Sequence, residues 1–326
     1  MTELSGYALI GDIGGTNARL SLVDLKTGEL SDPIIYSAVD NPSLEDCIRR
    51  FKEQCSAPFS SACIAIACPI TCDHVKMTNN PWEFSIKEMK HNLNLDNLTV
   101  INDFTAMSMS VPVLCEDSIV KLGGGKADLN KPIAVYGAGT GLGVGHLLHI
   151  NDKWLPLPGE GGHMDMAPAS TDEDAILISL RARMGHVSYE RVLSGQGLLN
   201  IYNVISSRHN RAKAGMTPAD VTKGALASPA DQDCLESLNV FCRILGSFGG
   251  NLALNMGTFG GVYIAGGVVT HFIDFFLKSS DFYQSFISKG RFERMLEQIP
   301  VYVITDKLAG LKGAGAVIRQ ELGAVL

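Results

Sequence analysis

Several things are scarce in this chain, and each scarcity excludes a class. Basic residues form no long run: 27 Lys and Arg face 34 Asp and Glu, a net charge of −7, so a nucleic-acid footprint is not expected. The eight cysteines contain no C-x-x-C pair. Cys63, Cys68 and Cys72, separated by four and three residues, fit no structural zinc spacing, and nothing suggests a secreted disulfide scaffold. Cys63 and Cys68 lie in an apolar run and read as core filler. Charge is missing altogether from Ile244 to Ile273, long enough to resemble a membrane span. Eight glycines, Asn251, Asn255 and His271 make it a soluble interior instead. It divides into a helix end, a Gly257-to-Gly261 turn, a strand Val262 to Ala265 and a turn at Gly266-Gly267. Two nucleotide motifs are also missing. Gly125-Lys126 is followed by Ala127, not the Ser or Thr of a Walker A loop. Gly137 and Gly139 are followed by Leu142 where a dinucleotide fingerprint needs its third glycine. No leader is legible either, so a cytoplasmic protein with reduced thiols is expected.

What is present begins with Asp12-Ile13-Gly14-Gly15-Thr16-Asn17-Ala18-Arg19. Tyr7 to Gly11 and Arg19 to Val23 flank it as short strands, so the octet reads as a tight hairpin turn. The pattern returns: Pro132 to Tyr136 is apolar, Gly137-Ala138-Gly139-Thr140-Gly141 follows, and Val144 to Ile150 resumes a strand. Glycines let backbone N–H groups converge on an anion with no Cβ in the way. Thr16 and Thr140 add hydroxyls, and Asp12 can hold a metal-bound water beside phosphates. One such turn is often only a hairpin. Two, each leaving an apolar strand, predict a duplicated fold with a nucleotide held in a cleft between two lobes.

Between and after the turns, strands alternate with helices. Helices are expected over Ser43 to Gln54, from Phe104 to Val111, from a Thr171 cap, and over Leu198 to Ser207, Pro218 to Ala227 and Asp231 to Asn255. Another starts at Phe272 and a last one covers Leu311 to Glu321. Strands are expected at Ala62 to Ala67, Leu98 to Ile101 and Val301 to Ile304. This is an α/β protein. We divide it near Pro112: residues 1–112 with the C-terminal segment 305–326 form a small lobe, and residues 113–304 a large one.

Three groups of residues could do chemistry. Asn102-Asp103 follows a strand, where open α/β sheets hold ligands; the aspartate can take a proton from an attacking hydroxyl. Read on position alone, Asp103 is first of all an N-cap for the next helix. Gly159-Glu160-Gly161-Gly162-His163 offers a carboxylate and an imidazole in a loop open to a bulky ligand, or is simply a turn. Glu190 is a further carboxylate and, alone, would be a solvated charge.

Together these stretches resemble the bacterial glucokinase family, in the actin and hexokinase superfamily of two-lobed ATP-dependent folds. The match runs in order through the Asp12–Arg19 turn, Ala65-Ile66-Ala67-Cys68-Pro69-Ile70, Ile101-Asn102-Asp103-Phe104-Thr105-Ala106 and Gly137–Gly143. It continues with Leu157–His163, Glu190-Arg191-Val192-Leu193-Ser194-Gly195 and Ala265-Gly266-Gly267. The resemblance implies a two-lobed actin-like, ribonuclease H-like duplicated fold that phosphorylates glucose at its 6-hydroxyl with ATP and Mg²⁺. It makes Asp103 the general base, with Asn102, Glu160, His163 and Glu190 on the sugar. Gly11, Asp12, Ile13, Gly14, Gly15, Thr16, Gly139 and Thr140 fall to the phosphates, and Gly266 and Gly267 to the adenosine. The resemblance implies no metal held by the protein directly, with Mg²⁺ expected to arrive with ATP and to meet Asp12 through water. Zinc-containing relatives carry a cysteine cluster soon after the glutamate–glycine–histidine loop. Here no cysteine lies between Cys115 and Cys234, so no zinc is expected. A kinase for fructose, mannose or an amino sugar, and a non-catalytic sugar sensor, remain as alternatives. With the first turn at residue 12, the helix-turn-helix of such regulators is not expected. The expected partners are glucose and ATP, with no nucleic acid and no membrane, and the expected assembly is a homodimer.

Overall fold

Two apolar hairpins each found a sheet. The computed structural model describes residues 4–77 and 80–326. In the first sheet β1 (Tyr7–Ile13) and β2 (Asn17–Asp24) are antiparallel, and β3 (Ile34–Ser37) pairs antiparallel with β2. On the other side of β1, β4 (Phe59–Ile66) and then β7 (Asn97–Asn102) are parallel to it. The order is β3-β2-β1-β4-β7. A small antiparallel ribbon, β5 (His74–Lys76) and β6 (Glu83–Ser85), lies between β4 and β7 in sequence. Ala8, Leu9 and Ile10 are all buried, so β1 is covered on both faces, as a strand inside a parallel array must be.

The second sheet uses β8 (Ile119–Gly123), β9 (Ile133–Ala138), β10 (Leu142–Ile150), β11 (Lys153–Gly159), β12 (Gly261–Ala265) and β13 (Val301–Ile304). Its order is β11-β10-β9-β12-β13-β8. β12 is parallel to both β9 and β13, while β8 is an antiparallel edge. Without β8, the five-strand order of the first sheet is repeated. The duplicated α/β architecture expected from the two turns is therefore present.

The chain separates into two compact units. The first comprises residues up to Ser118, His146–Pro158 and Asp306–Leu326; the second comprises Ile119–Gly145 and Gly159–Thr305. In the first, the C-terminal helix Ala309–Glu321 packs on β1, β4 and the helix Asp103–Ser110. The two helices touch backbone to backbone: a Cβ on Gly313 would lie 1.7 Å from the Ala106 carbonyl oxygen. Gln320 also grips the β10–β11 hairpin, accepting from the Trp154 amide at 2.7 Å and donating to its carbonyl at 2.9 Å.

Two caps differ from expectation. Ser170, not Thr171, caps the helix Thr171–Met184, its hydroxyl accepting from the Glu173 amide; Ser170 has the extended backbone a cap needs. Asn102, not Asp103, caps the helix Asp103–Ser110. The charge-free stretch resolves as the end of the helix Gln232–Met256, a left-handed cap at Gly257 (φ 61°), strand β12 and the turn beyond it. No helix among the described residues is long and apolar enough to cross a membrane. None of the eight cysteines forms a disulfide, and Cys63 is fully buried, which pushes its thiol well above the ordinary range.

Candidate functional site

In the first unit, three parallel strands end together. Ile13 of β1 is level with Ile66 of β4, and Ile66 with Asn102 of β7. The turn Gly14-Gly15-Thr16 and the pair Asn102-Asp103 therefore leave one sheet at one edge, the carboxyl ends of its parallel strands. The turn is closed by the Gly14 amide donating to the Asn17 carbonyl (2.9 Å) and the Ala38 amide donating to that of Thr16 (2.8 Å). Among the described residues, no backbone or side-chain acceptor takes the amides of Gly15 and Thr16. They suit an oxyanion. Gly11 and Ile13 face the core instead: Ile13 is fully buried, and a Cβ on Gly11 would lie 2.8 Å from Ile64 Cδ1. Their side of β1 supports the turn from beneath.

Asp12 sits beside the turn with its Oδ2 3.5 Å from Arg19 Nη1. Burial raises its carboxyl above the usual aspartate range, with Arg19 opposing. The C-terminal helix approaches it as well, since a Cβ on Gly310 would lie 3.5 Å from the Asp12 carboxylate. Asn102 is committed to structure. Its Oδ1 accepts from the amides of Phe104 (2.8 Å) and Thr105 (3.3 Å), and its Nδ2 donates to the Cys68 carbonyl at 3.4 Å. Asp103 is thus the first residue of a capped helix, with its Oδ1 accepting from the Phe104 amide at 2.9 Å. A carboxylate in a first turn is favoured by the helix dipole.

The second unit repeats the arrangement with different chemistry. β9 and β12 run parallel with Gly137 level with Ala265, so Gly139-Thr140-Gly141 and Gly266-Gly267 emerge side by side. Close approach demands these glycines. A Cβ on Gly137 would lie 2.0 Å from the Ala265 carbonyl oxygen, and one on Gly266 (φ 88°) would lie 2.4 Å from that of Ala138. Gly139 and Gly267 are open, with no atom within 4 Å of an added Cβ. The turn rests on the start of the helix Gly195–Arg208, whose Gly195 amide donates to the Gly139 carbonyl at 3.0 Å.

The same unit assembles the carboxylates. Glu190 Oε2 accepts from the Leu142 amide at 3.0 Å and lies 4.0 Å from His163 Nε2. Gly141 leaves it room, for a Cβ there would lie 2.5 Å from that oxygen. Glu160 opens the short turn Gly161–His163 and its carbonyl accepts from the His163 amide. That turn packs tightly on β10, since a Cβ on Gly162 would lie 2.0 Å from the Leu142 carbonyl oxygen. Glu160 and His163 are exposed and Glu190 is half-buried. Sequence reading missed three supports: Leu142 for Glu190, Gly195 for the second turn, and Gly310 for Asp12. Only the glycines left a trace, as small residues where helices begin.

Comparison with known proteins supplies the family. The Glucokinase family profile matches residues 9–321. A Psychromonas ingrahamii protein named Glucokinase is 56% identical over 319 residues, 98% of this chain and 99% of its own. One from Cronobacter sakazakii is 54% identical over 323 residues, 99% of this chain and 100% of its own. The crystal structure of a glucokinase from an Antarctic psychrotroph superimposes with a TM-score of 0.88 at 32% identity, covering 97% of this chain and 100% of that one. Likeness of this extent, in sequence and in fold, leaves one conclusion: the chain belongs to the Glucokinase family.

Proposed function

We infer that this chain is an ATP-dependent glucokinase, moving the terminal phosphoryl group of ATP to the 6-hydroxyl of D-glucose and yielding glucose 6-phosphate. The full-length relatives named Glucokinase carry the reaction. One observation carries the assignment of residues: the turn of β1 and the pair Asn102-Asp103 leave the same sheet edge.

Phosphoryl transfer asks the protein for positioning and charge neutralisation more than covalent chemistry. Asp103 takes the proton from the 6-hydroxyl as it attacks. Asn102 fixes Asp103 by capping its helix and turns its remaining amide hydrogen toward a neighbouring sugar hydroxyl. Glu160 and Glu190 accept from other hydroxyls, and His163 bonds to one beside Glu190. The amides of Gly15, Thr16 and Thr140 hold phosphate oxygens on turns that the amides of Gly14 and Gly139 close by donating to the carbonyls of Asn17 and Gly141, while Gly266 and Gly267 let the adenosine approach the backbone. Mg²⁺, when bound, neutralises charge on the phosphates. The half-buried Asp12 carboxylate beside the open turn amides fits a water of its coordination shell. We place the enzyme in the reducing cytoplasm, in keeping with eight cysteines outside any disulfide, as a two-fold homodimer.

The test is ADP production from Mg-ATP with a panel of hexoses at low and high concentration. Turnover with glucose, and little with fructose, mannose or an amino sugar, is expected. Preference for another hexose would reassign the substrate. Glucose binding without turnover would make the chain a sensor.

A further inference from the structure

A cavity of about 520 Å³ opens in the first unit between the β2–β3 turn and the C-terminal helix. Small-molecule sites span roughly 300–1,000 Å³, so its size fits a metabolite. None of the proposed glucose or ATP residues lines it. Leu30, Val113 and Leu308 give it apolar surface, Lys312 and Arg319 bring two cations, and Glu29 one carboxylate.

The two cations differ. Lys312 is already matched, its Nζ 2.5 Å from Asp306 Oδ2. Among the described residues, Arg319 bonds only to carbonyls: its Nε donates to Leu25 O at 3.2 Å and its Nη2 to Lys26 O at 3.3 Å. A guanidinium carries five N–H donors, so several stay available, and their fork suits a carboxylate or phosphate. Asp24 is an opposing charge within reach of its field, yet that carboxylate takes the amides of Lys26 and Thr27, both at 2.8 Å. Gly28 (φ 80°) lies under the guanidinium, where a Cβ would come within 2.4 Å of Nη1. The turn is thus shaped to seat an arginine at the pocket wall with no carboxylate bonded to it among the described residues.

We propose that this pocket binds a small oxyanion, a carboxylate or phosphate on a compact apolar body, with Arg319 gripping the anion and Leu30, Val113 and Leu308 covering the body. The proposal does not rest on the kinase reading, and its test measures binding, not turnover. The full chain is titrated calorimetrically with phenyl phosphate, benzoate, inorganic phosphate and benzyl alcohol. Saturating glucose and Mg-ADP keep the proposed substrate residues occupied. Phenyl phosphate or benzoate should bind, the tighter one identifying the oxyanion; inorganic phosphate should bind more weakly and benzyl alcohol not at all. Arg319→Leu should weaken binding at least about tenfold. Glu29→Gln, at an exposed position, should strengthen it a few-fold, and serves as the probe should Arg319→Leu fail to fold. The proposal falls if neither aryl oxyanion binds at millimolar concentration, if benzyl alcohol binds equally well, or if both substitutions leave binding unchanged.

Discussion

The two repeats place an aspartate soon after their third parallel strand, and the two carboxylates meet different fates. Asp306 follows β13 and is drawn into structure. Its Oδ2 pairs with Lys312 and accepts from Ser118 Oγ at 3.2 Å, its Oδ1 accepts from the Leu308 amide at 2.8 Å, and its side chain is 13% exposed. Burial works to raise its pKa, but those bonds together hold it below the ordinary range. Asp103 follows β7 and starts a helix that Asn102 has already capped. One topological position therefore yields a locked ion pair in one repeat. In the other it yields a carboxylate presented at the sheet edge beside a phosphate-suited turn. Duplication supplies the place; local capping decides the use.

Substitution at both positions should separate these fates, with the largest effect at Asp103. Asp103→Asn keeps the helix cap, so thermal stability should hold while kcat with glucose falls at least about a hundredfold, the lower end of what a general base contributes. Asp306→Asn should do the reverse. Losing a charge-assisted bond to Lys312 should cost about 1.5–3 kcal/mol in denaturant unfolding, with kcat kept within a few-fold. Near-normal turnover in Asp103→Asn would remove it from the mechanism and make the two carboxylates equivalent after all.

The second turn allows a finer comparison within a single hairpin. Gly137 and Gly139 are two residues apart, yet one meets backbone and the other open space. Gly137→Ala forces β9 and β12 apart and should cost about 1–3 kcal/mol or more, as overpacking does. Gly139→Ala should leave stability within about 0.5 kcal/mol. It should instead raise KM for Mg-ATP by up to about tenfold, roughly 1.4 kcal/mol of phosphate binding. Equal melting temperatures for the two variants would mean the strands can yield. Unchanged KM in Gly139→Ala would take that turn off the phosphates.

Much of this was legible in the sequence because it is local. Glycine at a tight turn and apolar alternation beside it located both hairpins, and buried parallel strands wrote themselves as apolar runs. Edge strands did not. β3 has four residues, and β11 carries Pro156 and Pro158, which suit an edge where no ladder bond is needed but obscure a strand in sequence. The cap at Ser170 was displaced by one because neighbouring hydroxyls look alike until the backbone angle selects one. Glu190 was legible as a carboxylate but not as an oriented one, since the amide that holds it belongs to Leu142, 48 residues earlier. Contacts set by packing across such distances leave no periodic trace.

Asp12 brings the comparison of the turns to its smallest expected effect, and to a trade between stability and function. The second turn has alanine and glycines where the first has this acid. Burial raises the Asp12 carboxyl, while Arg19 at 3.5 Å works against that. The approach of the Gly310 end of the C-terminal helix should also favour the charge. A folded-state pKa above the unfolded value means the native protein holds the proton longer. Stability from this group is therefore present below the unfolded aspartate value and is lost as pH rises through the folded one. At neutral pH the penalty is complete, so Asp12→Asn should stabilise the protein by about 0.5–2 kcal/mol, typical of a relieved functional site. The same variant should bind Mg-ATP more weakly, and its stability should vary less with pH in the acid range. A variant less stable than wild type at pH 7 would show that Arg19 and the helix terminus outweigh desolvation, and that the first turn carries its acid at no cost.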